Sequence, residues 1–265
     1  MIVVDMHSHA FPDELAPKAI DALEAKADWK AFGTGTIDAR LASMDAAGID
    51  VAVICTIATR PELTEGILRW CCSIRSPRIV PFASVHPASP DAADWVRRIV
   101  DAGIPGIKMH SVYQDYCLDD PILDGIYQAA SETGLIVSPH CGRDTAAPDD
   151  VNRASPERIA RVIDKFPDLK MVCTHLGGWR MWDESEQYLI GKKDVKLEMS
   201  FTQNDLAPER EVELFRKHGV ENILFGTDWP WADSAADRRK LEALDLTPAE
   251  LEMILGGNAV RVLGL

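Results

Sequence analysis

Eight short, β-rich apolar runs alternating with helix-period segments constrain this 265-residue chain more than any other feature. They occupy residues 2–7, 50–57, 79–86, 103–110, 135–140, 169–175, 194–201 and 222–228. Most are continuously apolar over several residues, the pattern of parallel strands covered by helices on one side and by a packed interior on the other. Between them, Ser89-Pro90, Asp120-Pro121, Ser155-Pro156 and Thr247-Pro248 each put a capping side chain before a proline suited to the first helical position. Eight β-then-α units joined by short loops close most economically into an α/β fold of the (β/α)8 TIM-barrel type. An open, doubly wound sheet is the alternative.

No linker, low-complexity tract or composition shift divides the chain, so one domain over residues 1–265 is expected. The stretch from Phe11 to Met44 is longer than one crossover needs, and it predicts an extra excursion over the barrel mouth that helps to shape a substrate pocket. The balance of 28 Lys and Arg against 42 Asp and Glu gives a net charge of −14, with no basic run. Such a field repels a phosphate backbone, so nucleic acid is not an expected partner. No basic, apolar leader opens the sequence, and no window approaches the roughly 18 apolar residues that a membrane span needs. A cytoplasmic protein with no membrane partner is expected, and homo-oligomerisation stays open. The six cysteines show no CxxC spacing and read as reduced, core-like thiols.

The strand ends carry the chemistry. The first run ends in Asp5-Met-His7-Ser-His9, the third at His86, the fourth at Lys108-Met-His110, the fifth at His140, the sixth at His175 and the last at Asp228. In a barrel all these ends meet at one face, where active sites are built. His7 and His9 are two apart, so on an extended strand they point to the same side and can serve one ion. His140 and Asp228 complete a set of three imidazoles and one carboxylate, which suits Zn²⁺ and tolerates Mn²⁺, Co²⁺ or Fe²⁺.

The ordered motifs DMHSH, GIKMH followed by YQ, SPHCG, THLGG, FGTDWP and the closing GNAVRVLGL resemble the amidohydrolase superfamily. The likeness is to its amidohydrolase-2 branch, which includes aminocarboxymuconate semialdehyde decarboxylase and related hydrolases. That resemblance implies a metal held by His7, His9, His140 and Asp228, with His175 as a polarising or acid/base residue beside it. Asp228 then serves as both ligand and proton acceptor, and neutral His175 offers one N–H to a developing oxyanion.

In binuclear relatives a carboxylated lysine bridges two ions. Lys108 stands on the corresponding strand, but the resemblance to the mononuclear branch favours its use as an ordinary lysine that binds a substrate carboxylate or pairs with an acidic neighbour. His110 and Arg143 are further candidate contacts for an anionic substrate, although Arg143 has Asp144 beside it as an ion-pair partner. Asp5 is read as a partner orienting an imidazole, and Glu198 as a buried acid paired within its strand. His86 is expected to cap its strand, Trp179 to wall the pocket, and Trp229 and Trp231 to support the Asp228 loop.

These residues predict a metal-dependent enzyme that uses metal-activated water to hydrolyse an amide, cyclic amide or lactone in a small molecule. Non-oxidative decarboxylation of a small unsaturated or aromatic acid is the alternative, and a non-catalytic metal-binding scaffold the least favoured.

Overall fold

The computed structural model describes residues 1–148, 152–192 and 195–265. Each of the eight runs contributes a strand: β1 (Val4–Ser8), β2 (Val51–Cys55), β3 (Ile79–Ala83), β4 (Gly106–Met109), β5 (Ile136–Pro139), β6 (Val172–Cys173), β7 (Lys196–Glu198) and β8 (Ile223–Leu224). Asp194, where the seventh run begins, lies outside the described residues. β1 to β5 pair in order, and so do β6 to β8, every pair parallel.

Two seams join the halves. Val137 bridges Met171, and Ser8 bridges Trp229. At the second seam Met6 N donates to Phe225 O at 2.9 Å and Asp228 N to His7 O at 2.7 Å. The sheet therefore closes on itself, which excludes the open doubly wound alternative.

The interior is apolar. Val4, Phe82, Ile136, Val172 and Leu224 come from strands all round the barrel and share one buried cluster, against which Val260 and Leu263 pack. Both belong to the C-terminal helix Asn258–Leu263. A larger cluster fills the space between the strands and the outer helices.

Helix starts partly follow the proline signals. Ser155 Oγ accepts from Arg158 N, and Thr247 with Glu250 forms a reciprocal capping box. The helix after Ser89-Pro90 begins only at Ala92, and Pro121 opens a 3₁₀ turn (Pro121–Leu123) before the helix Asp124–Thr133. The excursion is also shorter than expected, because Ile37–Ala47 is the ordinary crossover helix between β1 and β2. What precedes it, including helix Ala16–Ala27, lies over the mouth, where Trp29 Nε1 donates to Trp231 O at 2.8 Å.

Among the described residues no helix is long and apolar enough to cross a membrane.

Candidate metal centre and active site

A cavity of about 620 Å³ opens at the carboxyl ends of the strands. His7, His9, Lys108, His110, His140, Asp144 and Asp228 line its polar floor, and Trp29, Trp179, Phe201 and Trp231 stand in its walls. This volume is ordinary for a small-molecule site.

Alternation along β1 is not strict. Its register with β2 is irregular between Asp5 and Ser8, and such an irregularity re-aims side chains. Asp5 and His7 consequently do not share a face. The Asp5 carboxylate accepts from Arg40 of the outer crossover helix at 2.6 Å, from Thr227 N and Oγ1, and from His7 N at 3.0 Å. It fixes the backbone of β1 and of the Asp228 loop, correcting its expected role as an imidazole partner.

The imidazole partner of His7 is Glu198. His7 Nδ1 lies 3.0 Å from Glu198 Oε2 and 3.2 Å from Ser200 Oγ. On its other side, His7 Nε2 lies 3.0 Å from Lys108 Nζ, an ammonium that can only donate, so Nε2 carries a lone pair. His9 Nδ1 lies 2.8 Å from Cys55 O, an acceptor, and so carries the hydrogen, leaving His9 Nε2 bare as well. The two bare nitrogens are 3.2 Å apart. Asp228 Oδ1 is 3.1 Å from His9 Nε2 and 3.4 Å from His7 Nε2.

Three lone-pair atoms therefore converge. Asp228 Oδ1 is buried and receives no hydrogen bond from the described residues. Atoms with these separations fit around one centre at the roughly 2.0–2.2 Å that Zn²⁺ takes with imidazole and carboxylate. The donor set fits a divalent cation.

A second convergence lies next to the first. His140 Nε2 faces Arg143 O at 2.8 Å, and His175 Nδ1 faces Ser200 O at 3.1 Å with Ser200 Oγ at 2.9 Å. Both carbonyls are acceptors, so His140 Nδ1 and His175 Nε2 are the bare atoms, and they are 3.2 Å apart. The structure thus groups His7, His9 and Asp228, and sets His140 beside His175 rather than in that trio. The N–H that His175 was expected to offer an oxyanion is turned to Ser200, away from the cavity.

Burial lowers His7, His140 and His175 below the ordinary histidine range, which keeps them neutral and able to ligate. Burial would push Asp228 up, but His7, His9 and Lys108 outweigh it and hold the carboxyl below its usual range. Burial raises Glu198 to about 8.

The remaining candidates divide. Lys108 is buried against His7 and lines the cavity floor. His110 lines the cavity, but its Nε2 is 3.2 Å from Asp144 Oδ2, and its ring stacks on His140 at 4.4 Å. Asp144 therefore serves His110 rather than the ion pair expected with Arg143, which does not line the cavity. Burial takes His110 down to about 3, and its Nδ1 has no partner among the described residues. His86 accepts from Ala88 N at 3.1 Å in the turn after β3.

Sequence reading missed Ser200, the service of Asp144 to His110, and Tyr113, whose ring packs at 4.4 Å on His110. For Ser200 the position two residues beyond the buried acid Glu198 was the only signal. His175 and Asp228 both have left-handed backbones, at φ 57° and 59°, a conformation uncommon outside glycine and frequent where function over-determines the backbone.

A sequence model of the family described as Amidohydrolase matches residues 4–265. No curated protein sequence matches the chain. Among solved structures it is similar to an uncharacterised TIM-barrel protein of Bordetella bronchiseptica, at 19% identity and TM-score 0.82 over 100% of this chain and 99% of that one. It is also similar to 5-carboxyvanillate decarboxylase of Sphingomonas paucimobilis, at 16% identity and TM-score 0.76 over 100% and 99%. The 2,6-dihydroxybenzoate decarboxylase of Rhizobium aligns at 18% and 0.70 over 100% and 99%. These likenesses show the TIM-barrel fold.

Proposed function

Because the chain belongs to the amidohydrolase family, we propose that it is a divalent-metal-dependent hydrolase of an amide, cyclic amide or lactone in a small molecule. The convergence of His7 Nε2, His9 Nε2 and the unpartnered Asp228 Oδ1 carries this reading. A cation held there would supply Lewis-acid charge, polarising a substrate oxygen and lowering the pKa of a water toward neutrality. Zinc is the first choice, since borderline-soft imidazoles with one carboxylate suit it. Manganese is the alternative, supported by its presence in a similar decarboxylase structure from Novosphingobium aromaticivorans.

The chain's own residues supply the rest. Asp228 is kept ionised at neutral pH and accepts the proton of the attacking water. Lys108 places a buried positive charge on the cavity floor, where it neutralises a substrate carboxylate or oxyanion. His140 and His175 direct two lone pairs at one point, where they can hold and relay a proton. The aromatic wall excludes water from the reacting group.

Non-oxidative decarboxylation is the second reading, favoured by that same wall. Trp179 and Phe201 stack at 5.4 Å and Trp29 meets Phe201 edge-on at 5.6 Å, a surface suited to a flat unsaturated acid. The similar structures from Sphingomonas, Rhizobium and Novosphingobium are decarboxylases of aromatic acids.

The test is turnover of the zinc- or manganese-loaded protein on a panel of lactones, cyclic amides and aromatic acids, following acid release and CO₂ separately. Ring or amide opening without CO₂ is the expected result. CO₂ release from an aromatic acid overturns hydrolysis in favour of the second reading, and no turnover on any compound with metal bound counts against both.

A further inference from the structure

We propose that Glu198 is a positioning residue that makes His7 a metal ligand by dictating which of its ring nitrogens carries the hydrogen. The inference rests on the proposed site at His7. Its basis is the way the two Glu198 oxygens are used. Oε1 accepts from the backbone N–H of Ser200. Oε2 faces His7 Nδ1 at 3.0 Å and accepts from Ser200 Oγ at 2.9 Å. Glu198 and Ser200 are both fully buried, so no solvent can replace a missing partner. With Glu198 ionised, Oε2 is an acceptor, and His7 is held with hydrogen on Nδ1 and a lone pair on Nε2, the atom that faces His9, Asp228 and the Lys108 ammonium.

The arrangement makes a glutamine at this position worse than a neutral copy. A backbone N–H cannot accept, so the carbonyl oxygen of the glutamine amide must take the Oε1 position. The NH₂ group is then turned toward His7 Nδ1. Nδ1 must accept, the hydrogen moves to Nε2, where the Lys108 ammonium has to swing aside, and the lone pair that would meet a cation is lost. Ser200 Oγ donates into the same carboxylate but leaves both of its oxygens in place, so removing it does not reverse the tautomer.

Glu198→Gln and Ser200→Ala, each compared with the unmutated protein, separate this role from simple packing. Long-range ¹H–¹⁵N spectra of metal-free, ¹⁵N-histidine-labelled protein at pH 9 read the His7 tautomer, and competition with a chromophoric chelator reads zinc affinity. The expected result for Glu198→Gln is a change from the Nδ1–H to the Nε2–H form and a zinc affinity lower by roughly 10–100-fold. Ser200→Ala is expected to keep the Nδ1–H form and a zinc affinity within about threefold of the parent. An unchanged tautomer in a folded Glu198→Gln protein overturns the proposal, as does its binding zinc like the parent. If the parent itself binds no zinc, the proposed function fails, while the tautomer change still decides the role of Glu198. If Glu198→Gln does not fold, Glu198→Asp, too short to reach His7, replaces it, and undiminished zinc affinity in that variant overturns the proposal.

Discussion

His140 Nδ1 and His175 Nε2 face each other at 3.2 Å, each left bare because the opposite ring nitrogen faces a backbone carbonyl. Two neutral imidazoles do not hold such a contact unless a proton or a cation stands between them. Replacing His175 by Asn is therefore expected to lower kcat/KM by about 10²–10⁴ while zinc remains at His7, His9 and Asp228. Steady-state kinetics with metal analysis on the same sample checks this, and a loss of all metal would place His175 among the primary ligands.

Asp228 combines two functions, so its neutral isostere should remove both. Asp228→Asn is expected to reduce kcat/KM by at least about 10³, or roughly 4 kcal/mol of barrier. Retention of more than a tenth of the activity would contradict its role as the proton acceptor. The fold should survive, because Thr227 N and Oγ1 remain tied to Asp5.

The Asp5–Arg40 pair is wholly buried, with N···O at 2.6 Å. Arg40→Met leaves the Asp5 carboxylate without its counter-charge beneath both β1 and the Asp228 loop. Removing one partner of such a pair costs about 3–5 kcal/mol, which urea denaturation will measure. Arg40→Met combined with Asp5→Asn should recover part of that loss, since no charge is then buried alone.

Glu211 supplies a pH test away from the site. Burial raises its carboxyl to about 7, and its partner is Thr202 Oγ1. A raised carboxyl favours the folded state at low pH, and that contribution is lost as the pH climbs from the ordinary glutamate value toward 7. Glu211→Gln, which can still accept from Thr202, should match the parent near pH 4 and exceed it at pH 8 by about 3 kcal/mol. Equal stability at pH 8 would contradict the buried charge.

Much of this molecule is legible in its sequence because a parallel barrel writes itself locally. Each strand is a short apolar run, and the residue closing it carries the chemistry, so His7, His9, Lys108, His140 and Asp228 could be named before any fold was in hand. Other features arise only between distant parts of the chain. Glu198 and His7 are 191 residues apart and meet through barrel closure, so neither segment encodes the pairing. Asp5 is read as an imidazole partner from its place in DMHSH, but the irregularity between Asp5 and Ser8 turns it toward Arg40. Arg143 and Asp144 are adjacent, yet the loop directs Asp144 to His110.

The most direct test of the metal centre is elemental analysis of protein purified without chelator, alongside His7→Ala. The account predicts about one divalent ion per chain in the parent and less than a tenth of that in the variant, as expected when a ligand is removed from a three-ligand set. A metal-free parent that gains no activity on adding zinc or manganese, or full occupancy in His7→Ala, would contradict it.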